Sequence, residues 1–284
     1  MIEAELRPRG PYSLRLSLRR YSDATRFVRD GTFVAAVHVE GRVERAQAWQ
    51  RPDGAIAVRA ASDGGVEQVR FTLGLDDDHE PFRRRFARDP LLGETIRRLP
   101  GLRPPRLGSV TQSVLRAVCG QLIQARRARA IEKRVIRATT EASGELHAPP
   151  LPRHLAPLGP AQLRALGLGT RRGAALIRLC RSIDLERLRA LPTDAAARRL
   201  ERERGLGPWS VGVICIEGLG RTERGLVGDL GLIKLMSALR GRWVEAAETA
   251  ELLAPYEEWA GLASVYLLAG FAQGSVPVRR TLAA

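Results

Sequence analysis

Apolar positions in the first third of the chain come in short runs. Residues 33–39, 43–49, 55–61 and 66–73 are rich in Val, Ala and Phe, and Gly41-Arg42, Pro52-Asp53-Gly54 and Asp63-Gly64-Gly65 separate them as turns. Ile56/Val58 and Val69/Phe71/Leu73 alternate with polar residues. This predicts strands of an antiparallel meander with one face on a core and the other toward solvent. Asp76-Asp77-Asp78 ends the pattern, and the Pro/Gly-rich stretch 100–108 reads as a linker.

From Ser109 onward the period becomes helical. Ser109 and Gln112 have the spacing of a capping box, followed by Val114, Leu115, Val118 and Leu122 on one stripe. A second helix holds Ile131, Val135 and Ile136 inside, with Arg126, Arg127, Arg129, Lys133, Arg134 and Arg137 around them. Leu176, Leu179, Cys180 and Ile183 repeat the helical spacing, as do Leu232, Leu235, Met236 and Leu239. Residues 260–278 are uncharged, but Ser264, Gln273, Gly274, Ser275 and Pro277 interrupt them, so they predict a buried helix and no membrane span. The expected fold class is α+β: an antiparallel β domain (1–80), a linker and helical segment packing with the C-terminal helices (81–108), and an all-helical body (109–284).

Charge changes the picture more than composition does. Of 284 residues, 44% are hydrophobic and 27% charged, which excludes wholesale disorder. The 46 Lys and Arg exceed the 31 Asp and Glu by 15, an excess that suits a polyanion such as nucleic acid. Lys133 and Lys234 are the only lysines, so the basic residues are almost all forked, phosphate-binding arginines. Cys119, Cys180 and Cys215 are isolated, with no CxxC pair for zinc or an iron–sulfur cluster. Their odd, scattered count fits a reducing compartment. Residues 1–10 are charged without an apolar core, so no signal peptide is expected and the protein is placed in the cytoplasm.

Leu200 to Met236 is the informative segment. A polar helix stops at Gly205-Leu206-Gly207, and Pro208 starts another with Trp209, Val211 and Ile214. Such a turn leaves backbone N–H groups pointing where a phosphate can sit, with a helix dipole behind them. By itself it is more often a plain helix connector.

Gly205-Leu206-Gly207-Pro208-Trp209-Ser210, followed by Val227-Gly228-Asp229-Leu230-Gly231-Leu232, resembles the helix-hairpin-helix and Gly/Pro-Asp signature of DNA base-excision glycosylases. Leu166-Gly167-Leu168 with Arg171-Arg172-Gly173-Ala174, and Gly120-Gln121-Leu122 upstream, fit the same pattern. A β domain ahead of that body is most similar to the 3-methyladenine DNA glycosylase II branch.

The resemblance implies roles. Asp229 matches the catalytic aspartate, which stabilises positive charge on the sugar as the N-glycosidic bond breaks; the residue also has the makings of a helix N-cap. Trp209 stands where strand-nicking relatives carry a Schiff-base lysine, which implies a monofunctional enzyme; as a flat wall it would stack on a flipped cationic base, and as a bare pattern it is a core aromatic. Leu122 matches the side chain that wedges into the duplex, although its stripe also allows a buried leucine. Val213 and Leu268 occupy pocket positions that are often aromatic in relatives, with Tyr266 a further pocket candidate. Gln121, Gly205, Leu206, Gly207, Ser210, Arg171 and Arg172 are the expected DNA contacts. The family binds an alkali ion through hairpin carbonyls, here those of Glu201, Glu203 and Leu206, so sodium or potassium is expected there and no redox or organic cofactor. The expected partner is double-stranded DNA with damaged bases, no membrane is involved, and the protein is expected to be a monomer. The alternatives are a non-catalytic helix-hairpin-helix DNA binder, which would need no carboxylate at Asp229, and a bifunctional glycosylase/lyase, which would need the missing lysine.

Overall fold

The computed structural model describes residues 1–19 and 21–277. Its N-terminal layer is an antiparallel sheet of β1 Ile2–Leu6, β2 Arg26–Arg29, β3 Thr32–Val39, β4 Arg42–Gln50 and β5 Ile56–Ala60, in the order β1-β5-β4-β3-β2. Phe33, Ala35 and Val37 of β3 enter one apolar cluster and Val34 and Ala36 another, so this strand is buried on both faces. Leu146, in the small hairpin of β6 Ala142–Ser143 and β7 Leu146–His147, covers the second face.

Residues 66–73 are a helix and not the expected strand. After α1 Leu14–Leu18, the chain forms α2 Asp63–Leu73, with Ser62 as N-cap accepting from the Gly65 N–H at 3.2 Å and Gly74 closing it at φ 61°. Val66, Val69 and Leu73 have helical spacing and pack on the sheet. Phe71, which completed the apparent alternation, lies under the guanidinium groups of Arg106 and Arg189, at 4.6 and 4.3 Å. Strand β1 has no local turn to announce it, because its partner is remote: Ile2 stands opposite Ala60.

The stretch 100–108 is pinned down instead of loose. Arg103 is 1% exposed and donates to the carbonyls of Gly74 at 2.6 Å, Leu75 at 3.2 Å and Pro11 at 3.1 Å, so one buried guanidinium gathers three backbone segments. A buried charge is tolerated when most of its donors are satisfied in this way; Nη1 and Nη2 are bonded and Nε has no partner among the described residues.

Two helical clusters make the rest. Helices α3 Glu80–Arg85 and α4 Gly93–Arg98 belong to the second of them, described below. The first is built from α5 Val110–Gly120, α6 Ala125–Thr139, the short α7 Pro152–Leu155 and α8 Pro160–Ala165, α9 Thr170–Ser182, α10 Thr193–Glu201 and α11 Pro208–Val213. The second joins α3 and α4 to α12 Leu230–Arg240, α13 Thr249–Leu253 and α14 Ala260–Gln273. Leu226 packs against both clusters, and Trp209 and Leu268 lie on their facing margins.

The capping box at Ser109 is only half formed. Ser109 Oγ accepts the Gln112 N–H at 3.0 Å, but the Gln112 side chain turns to Thr25 at 3.3 Å. The Glu186 carboxylate takes the Val110 and Thr111 N–H groups instead, each at 2.9 Å. None of the described helices is long and apolar enough to cross a membrane. Val278 and the last six residues of the expected helical body lie outside the described residues.

Candidate active site

The turn between α10 and α11 is built by two glycines. Leu206 donates to the Glu203 carbonyl at 3.2 Å, and Gly205 takes φ +93°, a left-handed geometry that favours glycine. Gly207 is the extended N-cap of α11, Pro208 fills its first position, and a Cβ built at Gly207 meets nothing within 4 Å. The first turn of α11 therefore opens onto free surface with its amides forward, the geometry of an anion site.

Gly228, at φ +87°, donates to Thr249 Oγ1 at 2.8 Å and turns the chain into α12, of which Asp229 is the N-cap. Both carboxylate oxygens of Asp229 are held: Oδ1 accepts the Gly231 N–H at 2.8 Å, and Oδ2 accepts the Trp209 indole N–H at 2.9 Å, across 20 residues of sequence. The N-cap and candidate catalytic readings of Asp229 thus share one geometry. No arginine or lysine among the described residues reaches it as an ion pair.

The expected pocket residues separate. Trp209 is half-buried, with its benzo edge so close to Gly120 that a Cβ there would lie 2.6 Å from Cη2. Leu268 presses on Gly231, where a built Cβ would clash with its Cδ2 and lie 3.0 Å from Asp229 Oδ1, and so adjoins the carboxylate. Val213 is buried in the first cluster. Tyr266 does not belong to the pocket: it has no exposed surface, its ring stacks 5.4 Å from Phe82, and its hydroxyl donates to the Leu102 carbonyl at 3.0 Å. Desolvation pushes its hydroxyl pKa up to about 12, as for a phenol sealed in a core.

Leu122 is not the buried leucine that its stripe allowed. It is fully exposed, at φ +59°, in the short turn between α5 and α6. A left-handed leucine costs roughly 1–2 kcal/mol, and this one gains no burial to offset it. Of the other expected DNA contacts, Arg171, Gly205 and Gly207 are exposed, while Leu206 and Ser210 are buried and so cannot touch DNA with their side chains. Gln121 donates to the Gly205 carbonyl at 2.6 Å and to Ser210 Oγ at 3.1 Å, and Arg172 donates to the carbonyls of Cys119 and Gln121 at 3.2 and 3.0 Å. These contacts join segments remote in sequence, and only the Gly120-Gln121-Leu122 and Arg171-Arg172 motifs pointed toward them.

Other chemistries find no support among the described residues. Burial pushes the thiols of Cys180 and Cys215 up to about 12, which leaves no thiolate nucleophile there. No group of three or more His, Cys, Asp or Glu side chains is placed to hold a metal, so an ion at the hairpin would rest on main-chain oxygens alone. The neutral carbonyls of Glu201, Glu203 and Leu206 suit a monovalent cation, that of Glu203 keeping one lone pair after accepting from Leu206.

No family model matches the chain. It is 27% identical over 214 residues to the DNA-3-methyladenine glycosylase of Bacillus subtilis, covering 71% of this chain and 70% of that one. The 3-methyladenine DNA glycosylase of Archaeoglobus fulgidus superposes with a TM-score of 0.84 at 19% identity, over 98% of this chain and 100% of that one. An 8-oxoguanine glycosylase/lyase of Clostridium acetobutylicum, solved with double-stranded DNA, superposes at 0.77 and 14% identity, over 97% and 99%. The chain thus has the α+β fold of these DNA glycosylases over nearly its whole length, and its sequence is similar to that of a DNA-3-methyladenine glycosylase.

Proposed function

We infer that this protein is a monofunctional DNA glycosylase that removes alkylated, cationic purines such as 3-methyladenine and 7-methylguanine from double-stranded DNA. The observation that carries this reading is the Asp229 carboxylate, free of any basic partner among the described residues and held by the Gly231 amide and the Trp209 indole. Exposed arginines and the open hairpin hold the backbone. Leu122 enters the stack as the damaged nucleotide leaves it, and Trp209 offers its ring to the base. The C1′–N bond then breaks with its electron pair going to the base, and an alkylated cationic base departs neutral without needing an acid. Asp229 stabilises the oxocarbenium-like sugar; water adds at C1′, and its proton is released as the abasic product forms. No amine stands at Trp209 to form a Schiff base, so the strand stays intact.

A DNA clamp without catalysis would need Asp229 only as the N-cap of α12, and has no need for its second oxygen to be held by the Trp209 indole beside the hairpin. A sodium or potassium ion on the carbonyls of Glu201, Glu203 and Leu206 would add positive charge at the phosphate contact, and no bond-breaking step depends on it. The same reading has the enzyme working as a monomer on nucleoid DNA in the bacterial cytoplasm.

The test is Asp229→Asn. The amide oxygen can keep the Gly231 contact that caps α12, while its NH2 cannot accept from the Trp209 indole; neither contact is to DNA, so duplex affinity is retained, while base release falls at least about 100-fold, the size of a lost electrostatic stabiliser. Near-normal excision by this variant overturns the reading, and a borohydride-trapped adduct on the wild type overturns its monofunctional part.

A further inference from the structure

We propose that Arg172 and Gln121 are positioning residues that brace Leu122 in its projecting conformation before DNA arrives, a role that rests on the glycosylase reading of the site. Leu122 is left-handed and fully exposed, so neither local preference nor burial explains its geometry. Something else holds the turn.

The contacts around it supply the brace. Helix α5 ends at Gly120 and leaves its last carbonyls without helical partners. Arg172, on the first turn of α9, donates from one Nη1 to the carbonyls of Cys119 and Gln121, so its charge sits at the negative end of the α5 dipole. On the other side, the Gln121 side chain donates to the Gly205 carbonyl and to the buried Ser210 Oγ. Arg172 thus grips the backbone just before Leu122, and Gln121 fastens it to the hairpin and to the residue next to Trp209. The wedge, the phosphate-binding turn and the base wall form one unit.

Arg171 and Arg172 therefore divide the work. Arg171 is exposed and available to a phosphate, whereas Arg172 is half-buried with its guanidinium spent on protein carbonyls. A wedge ordered in advance does not have to be ordered at the moment of flipping, which lowers the barrier to extruding a paired nucleotide.

Two measurements on the full chain test the brace. Hydrogen exchange of Arg172→Ala should speed up in residues 119–124 by tenfold or more while the amides of α12 keep their wild-type rates; unchanged exchange in the turn overturns the proposal without reference to activity. Single-turnover excision from a fully paired duplex should fall about tenfold in Arg172→Ala, but less than twofold when the same change is made in Leu122→Ala, where no wedge remains to be held. Arg172→Lys, which keeps the charge at the end of α5, should retain more activity than Arg172→Ala. Equal losses in both Leu122 backgrounds mean that Arg172 acts elsewhere, and they overturn the brace while leaving the glycosylase reading intact. A wild-type protein that releases no alkylated base overturns the glycosylase reading alone, since the exchange experiment still decides the brace.

Discussion

Gly120→Ala is the smallest change that should reach the proposed catalytic carboxylate of Asp229 without touching it. Gly120 is the last residue of α5, with an ordinary helical backbone, so alanine fits its conformation and even gains up to about 1 kcal/mol of helix propensity. Space is the obstacle. The new Cβ would sit 2.6 Å from Trp209 Cη2 and 3.4–3.5 Å from its neighbours Cζ3 and Cζ2. Ordinary carbon contact needs ~3.5–4.0 Å, so the rigid indole must retreat by about 1 Å. The Trp209 Nε1–Asp229 Oδ2 bond is 2.9 Å long, and such a shift carries it past bonding range. A hydrogen bond to a charged acceptor contributes ~1.5–3 kcal/mol, and if that orientation is used in the transition state, excision falls about 10- to 100-fold. Thermal stability should barely move, because the helix gain offsets part of the lost bond. Single-turnover base release from a defined duplex measures the effect, with Trp209→Phe as the reference background. Phenylalanine lacks both the clashing ring and the N–H, so adding Gly120→Ala there should cost almost nothing further. A Gly120→Ala enzyme with wild-type excision refutes the reasoning.

Three other outcomes follow from the same geometry. Leu122→Gly should raise stability by about 1 kcal/mol in denaturant melts, because glycine accepts φ +59° and no buried surface is lost, yet it should slow excision from paired duplex; lower stability would contradict the strain argument. With Tyr266 in the core and aliphatic Leu268 beside the carboxylate, stacking falls on Trp209, so 3-methyladenine and 7-methylguanine should be released well and hypoxanthine and ethenoadenine poorly in single-turnover assays; hypoxanthine excised as fast as the cationic purines would disprove it. Burial lowers the His79 pKa from 6.5 to about 4, so the unfolded chain binds the extra proton first and stability is lost as pH falls through that window, by up to about 3 kcal/mol; His79→Gln should flatten this slope in pH-dependent melts, and an unchanged slope would remove His79 as its source.

Legibility in the sequence tracked the distance over which each feature is made. Helices α5, α6, α9 and α12 were readable because their apolar spacing is internal to each segment. So were the two turns that bring Trp209 and Asp229 together, since each is marked by its own glycine motif, 205–210 and 227–232. Residues 66–73 misled because Val69, Phe71 and Leu73 mimic a two-residue period, while Ser62 as N-cap and Val66/Val69/Leu73 carry the true one. Strand β1, the pinned stretch at Arg103 and the braced turn at Leu122 depend on partners far along the chain, which no local pattern announces. Tyr266 failed for a related reason. The sequence offered it as a pocket candidate two residues from Leu268, but only tertiary packing shows that its ring faces Phe82.

The β layer, which carries none of the expected site residues, still reaches the wedge. Arg116 on α5 is 6% exposed and ion-pairs with Asp23 ahead of β2 at 2.7 Å, with Glu132 on α6 at 2.9 Å and with Glu217 beyond α11 at 2.7 Å. Arg26 of β2 pairs with the same Asp23 at 3.4 Å, and Arg129 with Glu132 at 3.2 Å, so three guanidinium groups face three carboxylates. These neighbours hold the Asp23 and Glu217 carboxyls below their usual range despite burial, and raise the Arg116 pKa. A buried network of this kind adds little net stability over an apolar replacement, whereas removing one partner costs about 3–5 kcal/mol. What it supplies is geometry, because ion pairs and hydrogen bonds fix direction where apolar contacts fix only proximity. Its members lie on both helices that flank Leu122 and on the segment that continues from Trp209. The turn that carries Leu122 is thus bounded on one side by the contacts of Arg172 and Gln121 and on the other by the ion pairs that join α5 and α6 to the segment at β2.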